Sequence, residues 1–306
     1  MKTRFLQQLN RDVSCVGLGT MVFSSSPRQD AFEMLDAWQE AGGNLLDAAE
    51  VYGSEPAIAD WFEARGNRDE IVLLDKACID LNEIAPDGMR RGAAGNLERT
   101  RTDYIDIWML HRDDPSKPME VIVETANELI SLGQIRAWGG SNWTTRRIIE
   151  ANECAEKRGL VGMIGSSENV SLAVPNVPRW PGVRSLDADD IAWRRETQFP
   201  VFSWSAQAGG FFSGQFSPGD RSDGDMVRVY YSDENFAKLE RARQLAAEKG
   251  VSAIQIALAY LLALDFAVYP LVGPRNMAEL RSCIEGEAVQ LTPAEASWLS
   301  LEQNER

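Results

Sequence analysis

The sequence predicts an α/β protein, a closed (β/α)8 barrel of parallel strands alternating with helices. Three observations predict it. Short apolar runs alternate with amphipathic stretches eight times along 306 residues. Most of those runs are near-continuously apolar, as strands buried on both faces are. No linker, low-complexity tract or composition break divides the chain, so residues 1–306 read as a single domain. A doubly wound open sheet is the rival arrangement of the same units.

The elements follow in order. A short hairpin is expected at about Arg4–Ser14. Barrel strands are expected at Cys15–Thr20, Asn44–Ala48, Ile71–Ala77, Ile105–Leu110, Ile135–Gly139, Val161–Gly165, Val201–Ser205 and Val268–Val272. Between them, Asp30–Ala41 sets Ala31, Met34, Leu35 and Trp38 on one helical face. Met119–Leu132, Thr144–Arg158, Glu234–Lys249 and Ser252–Leu264 repeat that pattern. Ser54, Thr144 and Ser252 suit helix N-caps, and Gly42, Gly133, Gly159 and Gly250 suit C-terminal stops. Leu291–Arg306 is expected to form an extra, solvated C-terminal helix, opened by the cap Thr292-Pro293. Asn169–Asp190, with three prolines, and Phe211–Val227 read as long loops, which in a barrel carry the site.

Composition narrows the function. Thirty-one Lys and Arg against 46 Asp and Glu give a formal charge of −15. Such a chain is a poor partner for nucleic acid or an anionic membrane surface. By the same field, a neutral sugar or ketone is a better substrate than an anion. No apolar run approaches the roughly 18 residues of a membrane span. Met1–Asn10 lacks the apolar core and cleavage site of a signal peptide. Cys15, Cys78, Cys154 and Cys283 are far apart and read as free, buried thiols, so a cytoplasmic location is expected. With one histidine and no CxxC, no metal site is expected. Gly17-Leu18-Gly19 approaches a dinucleotide fingerprint, but the third glycine and the following helix are missing.

Polar residues at strand ends face the top of a barrel. Asp47 ends the second strand and Tyr52 lies in the loop after it; Lys76 ends the third strand and His111 the fourth. Singly, each has an ordinary structural explanation. Their convergence from three adjacent strands carries the reading. A buried Lys and Asp are rare unless paired, so an Asp47–Lys76 ion pair is expected. An ammonium about 4 Å from a phenolate, at an effective dielectric of about 20, favours it by roughly 4 kcal/mol. Lys76 is therefore expected to lower the pKa of Tyr52, making it a general acid for a developing alkoxide. A neutral His111 would orient the carbonyl. This set suits carbonyl reduction by hydride from a nicotinamide.

At this point the chain resembles the aldo-keto reductase family over nearly its whole length. Gly43-Asn44-Leu45-Leu46-Asp47-Ala48-Ala49-Glu50-Val51-Tyr52-Gly53 is similar to the segment bearing the family's catalytic Asp and Tyr. Lys76 and His111 fall where its Lys and His would, and Asp103-Tyr104-Ile105-Asp106-Ile107 resembles its fourth strand. Gly133-Gln134-Ile135-Arg136-Ala137-Trp138-Gly139-Gly140-Ser141-Asn142-Trp143 resembles the segment whose Ser and Asn hold the carboxamide.

The resemblance implies a TIM barrel and an oxidoreductase that uses NADP(H), with NAD(H) as the alternative, on a small-molecule carbonyl substrate. It also implies cofactor contacts from Gly19, Thr20 and Met21, from Asp47, and from Ser141, Asn142 and Ser166. On the seventh-strand segment it implies Trp204 as the stacking aromatic, with Ser205, Ala206, Gln207 and Gly209 around the pyrophosphate. At the adenosine end it implies Gly273, Pro274 and Arg275, the last toward a 2′-phosphate. The chain departs there: Glu279 adds a negative charge, and Cys283 stands where the family has Asn. Phe23 and Trp143 are expected to face the substrate with Tyr52 and His111. Relatives of the family also serve as nucleotide-sensing interaction subunits, the alternative to a turning-over enzyme.

Overall fold

A computed structural model describes residues 1–306. Eight parallel strands close into a barrel, each hydrogen-bonded to the next. Before it, β1 (Thr3–Leu6) and β2 (Arg11–Ser14) form the expected antiparallel hairpin. The barrel strands are β3 (Gly17–Gly19), β4 (Leu45–Asp47), β5 (Val72–Ala77), β6 (Ile105–Leu110), β7 (Ile135–Ser141), β8 (Ser166–Ser167), β9 (Val201–Ser203) and β10 (Val268–Val272). β10 pairs with both β9 and β3, which closes the ring.

Side-chain alternation explains the two cores. Inward residues such as Leu45, Val72, Leu74, Ile107, Met109, Ala137, Phe202, Tyr269 and Leu271 fill the barrel. Leu6 and Val13 of the hairpin join them. Arg4 and Arg11 donate to the carbonyls of Val268 and Ile71, at the starts of two strands. The hairpin therefore covers the N-terminal end of the barrel, and the C-terminal ends of the strands form the opposite mouth. Outward residues such as Leu46, Leu73 and Trp108 pack against the helices.

The helices are α1 (Arg28–Glu40), α2 (Glu55–Arg65), α3 (Pro86–Thr100), α4 (Met119–Ser131), α5 (Thr145–Arg158), α6 (Ala188–Thr197), α7 (Gly224–Tyr230), α8 (Asp233–Lys249), α9 (Ala253–Leu262), α10 (Met277–Ala288) and α11 (Pro293–Leu299). No single helix is long and apolar enough to cross a membrane. Thr144 caps α5 through its side chain, and Ser252 forms a capping box with Gln255. Ser54 precedes α2 without a capping bond; its hydroxyl meets that of Thr20 at 2.8 Å instead.

Three expectations are corrected. Val161–Gly165 is not the sixth strand. Val161 exchanges backbone bonds with the Asn127 amide, and its carbonyl also accepts from Trp138 Nε1 at 2.9 Å. Its polar groups are satisfied by side chains, so the strand starts later and spans only Ser166–Ser167. The expected loops Asn169–Asp190 and Phe211–Val227 run into α6 and α7, opened by side-chain caps from Asp187 and Asp223. The last helix is confined to Pro293–Leu299 by its Thr292–Glu295 capping box and a turn at Ser300.

Candidate active site

Four chemistry-bearing side chains meet at the open mouth. Asp47 is the last residue of β4, Lys76 the last but one of β5, and His111 follows β6. Tyr52 ends one turn of 3-10 helix, Glu50–Tyr52, just after β4. The Lys76 ammonium donates to Asp47 Oδ1 and, at 3.2 Å, to the Ala48 carbonyl. Its Nζ lies 5.2 Å from the Tyr52 ring centroid. The Tyr52 and His111 rings stand edge to face, 6.0 Å apart at 86°. Thr20 fixes this corner, because its N–H and hydroxyl both donate to the Asp47 carbonyl, at 3.0 and 2.9 Å.

Burial sets the electrostatics. Asp47, Lys76 and His111 are all buried. Burial alone would strip Lys76 of its charge, but Asp47 and Tyr52 outweigh it and hold the ammonium above its ordinary pKa. Burial raises the Asp47 carboxyl against the pull of Lys76. His111 is pulled down to about 2 by burial, then by Lys76 and Arg112, so the imidazole is neutral. Its Nδ1 is enclosed without a partner, which leaves Nε2 as the nitrogen open to the mouth. Tyr52 differs from expectation. Burial raises its pKa and Asp47 adds to the rise, and together they outweigh the lowering by Lys76. The phenol therefore stays protonated at neutral pH, the state a proton donor requires.

The residues expected around a cofactor lie along the rim, at or after the ends of β3, β4, β7, β9 and β10 and on α10, with Ser166 as the exception. Ser141 ends β7, and its hydroxyl donates to the Ser167 carbonyl at 2.9 Å. Asn142 is left-handed at φ 63; its Nδ2 donates to Ser141 Oγ, and its Oδ1 accepts from the Arg184 N–H. Trp204 leaves its Nε1 buried without a partner, and its ring lies 5.7 Å from that of Trp180. Ser205 and Ala206 lead into the turn that carries Gln207 and Gly209. Cys283 Sγ reaches Gln207 Oε1 at 3.5 Å, joining α10 to that turn. Gly273 and Pro274 follow β10, and Arg275 is bonded to Glu279 at 2.7 Å. Gly19 ends the first barrel strand, Thr20 follows it, and Met21 is exposed beside them.

Three residues lie elsewhere than expected. The Ser166 hydroxyl faces the helix layer, donating to Glu168 Oε2 and accepting from Arg194 Nη2. Phe23 belongs to the apolar core with Leu35, Trp38 and Ile58 and does not face the mouth. Trp143 is fully buried in the core with Trp108 and Ile148, and its Nε1 donates to the Arg112 carbonyl at 3.1 Å. Trp143 buttresses the wall instead of lining the pocket.

The sequence profile of the Aldo/keto reductase family matches residues 15–300, every barrel strand included. The chain belongs to the aldo/keto reductase family. Membership makes it an oxidoreductase of carbonyl compounds. An uncharacterised oxidoreductase, YrpG of Bacillus subtilis, is 26% identical over 310 residues, covering 95% of this chain and 92% of its own. Norsolorinic acid reductase stcV of Emericella nidulans is 28% identical over 309 residues, covering 92% of this chain and 76% of its own. A crystal structure of an aldo-keto reductase from Klebsiella pneumoniae in complex with NADPH shares the fold. It superposes with a TM-score of 0.75 at 22% identity, covering 100% of this chain and 97% of that one.

This aldo/keto reductase also carries mouth residues that sequence reasoning left unassigned. Arg112 directly follows His111, and Trp180 packs on Trp204. Glu168 and Arg194 form a fully buried ion pair at 2.9 Å behind Ser166. The available signal for Arg112 was its adjacency to the strand-end histidine.

Proposed function

We propose that this aldo/keto reductase reduces an aldehyde, ketone or sugar carbonyl to the alcohol with NADP(H), and that Tyr52 is the proton donor. The observation that carries this reading is the buried Asp47–Lys76 pair set against the Tyr52 phenol, with neutral His111 at its edge. The rim fits a nicotinamide dinucleotide. The Trp204 indole carries an orphaned N–H, Ser141 and Asn142 offer polar groups beside it, and Gly210 and Gly273 face open space with no heavy atom within 4 Å of an added Cβ. Arg275 stands exposed at the far end. The NADPH bound by the Klebsiella relative supports the same cofactor here.

When bound, NADPH supplies the hydride. This chain's residues do the rest. His111 Nε2 binds the carbonyl oxygen and orients it. Tyr52 gives its hydroxyl proton to that oxygen as negative charge develops. The Lys76 ammonium, held charged by Asp47, stabilises the phenolate left behind. The test is NADPH consumption with a panel of aldehydes, ketones and sugars. Turnover that is lost in Tyr52→Phe supports the reading. Tight NADPH binding without turnover of any carbonyl would favour a nucleotide-sensing subunit instead.

A further inference from the structure

Most cations around the mouth are matched with carboxylates; Arg112 is the half-buried one that is not. Lys76 binds Asp47, Arg147 binds Asp113 at 3.1 Å, Arg179 meets Asp225 at 3.3 Å and Arg184 binds Asp190 at 2.6 Å. Arg194 binds Glu168, and Arg275 binds Glu279. Arg112 has no such partner. Its side chain is half-buried between the end of β6 and the 169–190 loop, and it makes only two bonds, both to carbonyls. Nη1 donates to His111 O at 2.8 Å and Nη2 to Pro181 O at 3.4 Å.

The nearest acidic residues along the chain are engaged elsewhere. Asp113 is held by Arg147, and Asp114 by Ser116 at 2.6 Å and Lys117 at 3.7 Å. Arg112 Nε has no partner and is not sealed from solvent. Facing it is Gly182, at φ +70, where an added Cβ would sit 3.1 Å from Nε. A side chain at this position would crowd the guanidinium, which the bare glycine avoids. Trp143 holds the Arg112 carbonyl, and the same indole lies so close over Gly140 that a Cβ there would come within 2.7 Å of it. The cation is thus pre-placed on a rigid wall, one residue from the histidine that faces the substrate.

A partly desolvated guanidinium with free donors is a fork for a planar anion. We propose that Arg112 recognises a carboxylate on the carbonyl substrate, so that the substrate class is aldehyde or keto acids. This rests on the carbonyl-reductase reading above. It reverses the expectation drawn from the net charge of −15. Dispersed surface charge is screened over about 8 Å at physiological ionic strength, whereas a fork at contact distance is screened far less. A competing role for Arg112, easing phenolate formation at Tyr52, would speed acid and neutral substrates alike.

The experiment compares 4-carboxybenzaldehyde with its neutral methyl ester, methyl 4-formylbenzoate, under NADPH. The expected result is a kcat/KM at least tenfold higher for the acid, expressed mainly in KM. The acid-to-ester ratio should fall at least tenfold in Arg112→Met and be partly kept in Arg112→Lys. Turnover of the ester without preference for the acid would overturn the carboxylate assignment alone. So would a ratio unchanged in Arg112→Met, which is the outcome of the phenolate role. No turnover of either compound by the unmodified enzyme would overturn the reductase reading, and this assignment with it.

Discussion

Arg275 and Glu279 grip each other one helical turn apart. Arg275 donates from Nε at 3.0 Å and from Nη2 at 2.7 Å to Glu279 Oε1, and its backbone N–H reaches Oε2 at 2.8 Å. Each partner moves the other in the expected direction: the guanidinium pKa is raised and the carboxyl pKa lowered. A 2′-phosphate arriving at Arg275 must therefore share it with a carboxylate of the same sign. Glu279→Gln should tighten NADPH by a few-fold, the scale of an exposed ion pair, and leave NADH little changed. Arg275→Ala should weaken NADPH more than NADH. Fluorescence titration with both nucleotides measures this, and equal shifts for the two would contradict the assignment.

Tyr52→Phe removes the proposed proton donor and keeps the ring that Lys76 and His111 face. The expected loss in kcat is about 10²- to 10⁴-fold, the usual contribution of a general acid. The dissociation constant for NADPH should stay within about twofold. A variant that retains most of its kcat would mean that another group delivers the proton.

The Asp47–Lys76 pair makes a stability prediction. Both side chains are buried, so Lys76→Met strands a carboxylate inside the barrel. Breaking such a pair on one side costs about 3–5 kcal/mol. The double variant Asp47→Asn, Lys76→Met should recover much of that stability without recovering turnover. Urea unfolding followed by tryptophan fluorescence, alongside an NADPH assay, separates the two effects. A double variant no more stable than Lys76→Met would refute the stranded-charge account.

His111 is the only histidine, so its titration can be isolated. It is held at about 2 in the folded protein against an ordinary value of 6.5. Its folded pKa is depressed, so below about pH 6.5 the unfolded chain binds a proton that the native state refuses. Stability is then lost as pH falls, by about 1.4 kcal/mol per unit from this one group. Unfolding free energies between pH 6.5 and 4.5 should fall less steeply in His111→Gln by about that slope. An identical slope would show that the imidazole is protonated in the native state. The same depression predicts that no histidine titration appears in the pH–rate profile between pH 5 and 8.

The legible parts of the sequence share one property: they are local. Runs such as Leu45–Asp47 and Ile105–Leu110 are apolar on both faces because both faces are buried, and that pattern needs no partner to read. Asp47, Tyr52, Lys76 and His111 were found because each sits at or just beyond a strand end. The misplaced residues depend on what lies across from them. Phe23 and Trp143 follow strand ends as pocket aromatics do, but neighbouring helices cover them. The apolar run at Val161–Gly165 was masked by Asn127, from another helix, which takes its backbone bonds. The direction of the Tyr52 shift turned on burial, and the meaning of Arg112 on a missing partner, and both are three-dimensional quantities.

β8 is the thin place in the wall. It meets β9 at a single residue pair, Ser166 with Val201. Besides backbone bonds from the Ser166 N–H to Pro200 O and from the Asn142 N–H to Ser167 O, hydroxyls stitch it: Ser141 reaches Ser167, Ser167 reaches Phe202 and Ser203 reaches Val170, all at 2.8–2.9 Å. Threads of that kind part more readily than a continuous ladder, so native-state breathing should begin at this seam. Amide deuteration is therefore expected there before it reaches β5 or β6. A dinucleotide resting on Ser141 and Asn142 would clasp the cylinder along its own weakest line, and the enzyme would be at its stiffest only while loaded.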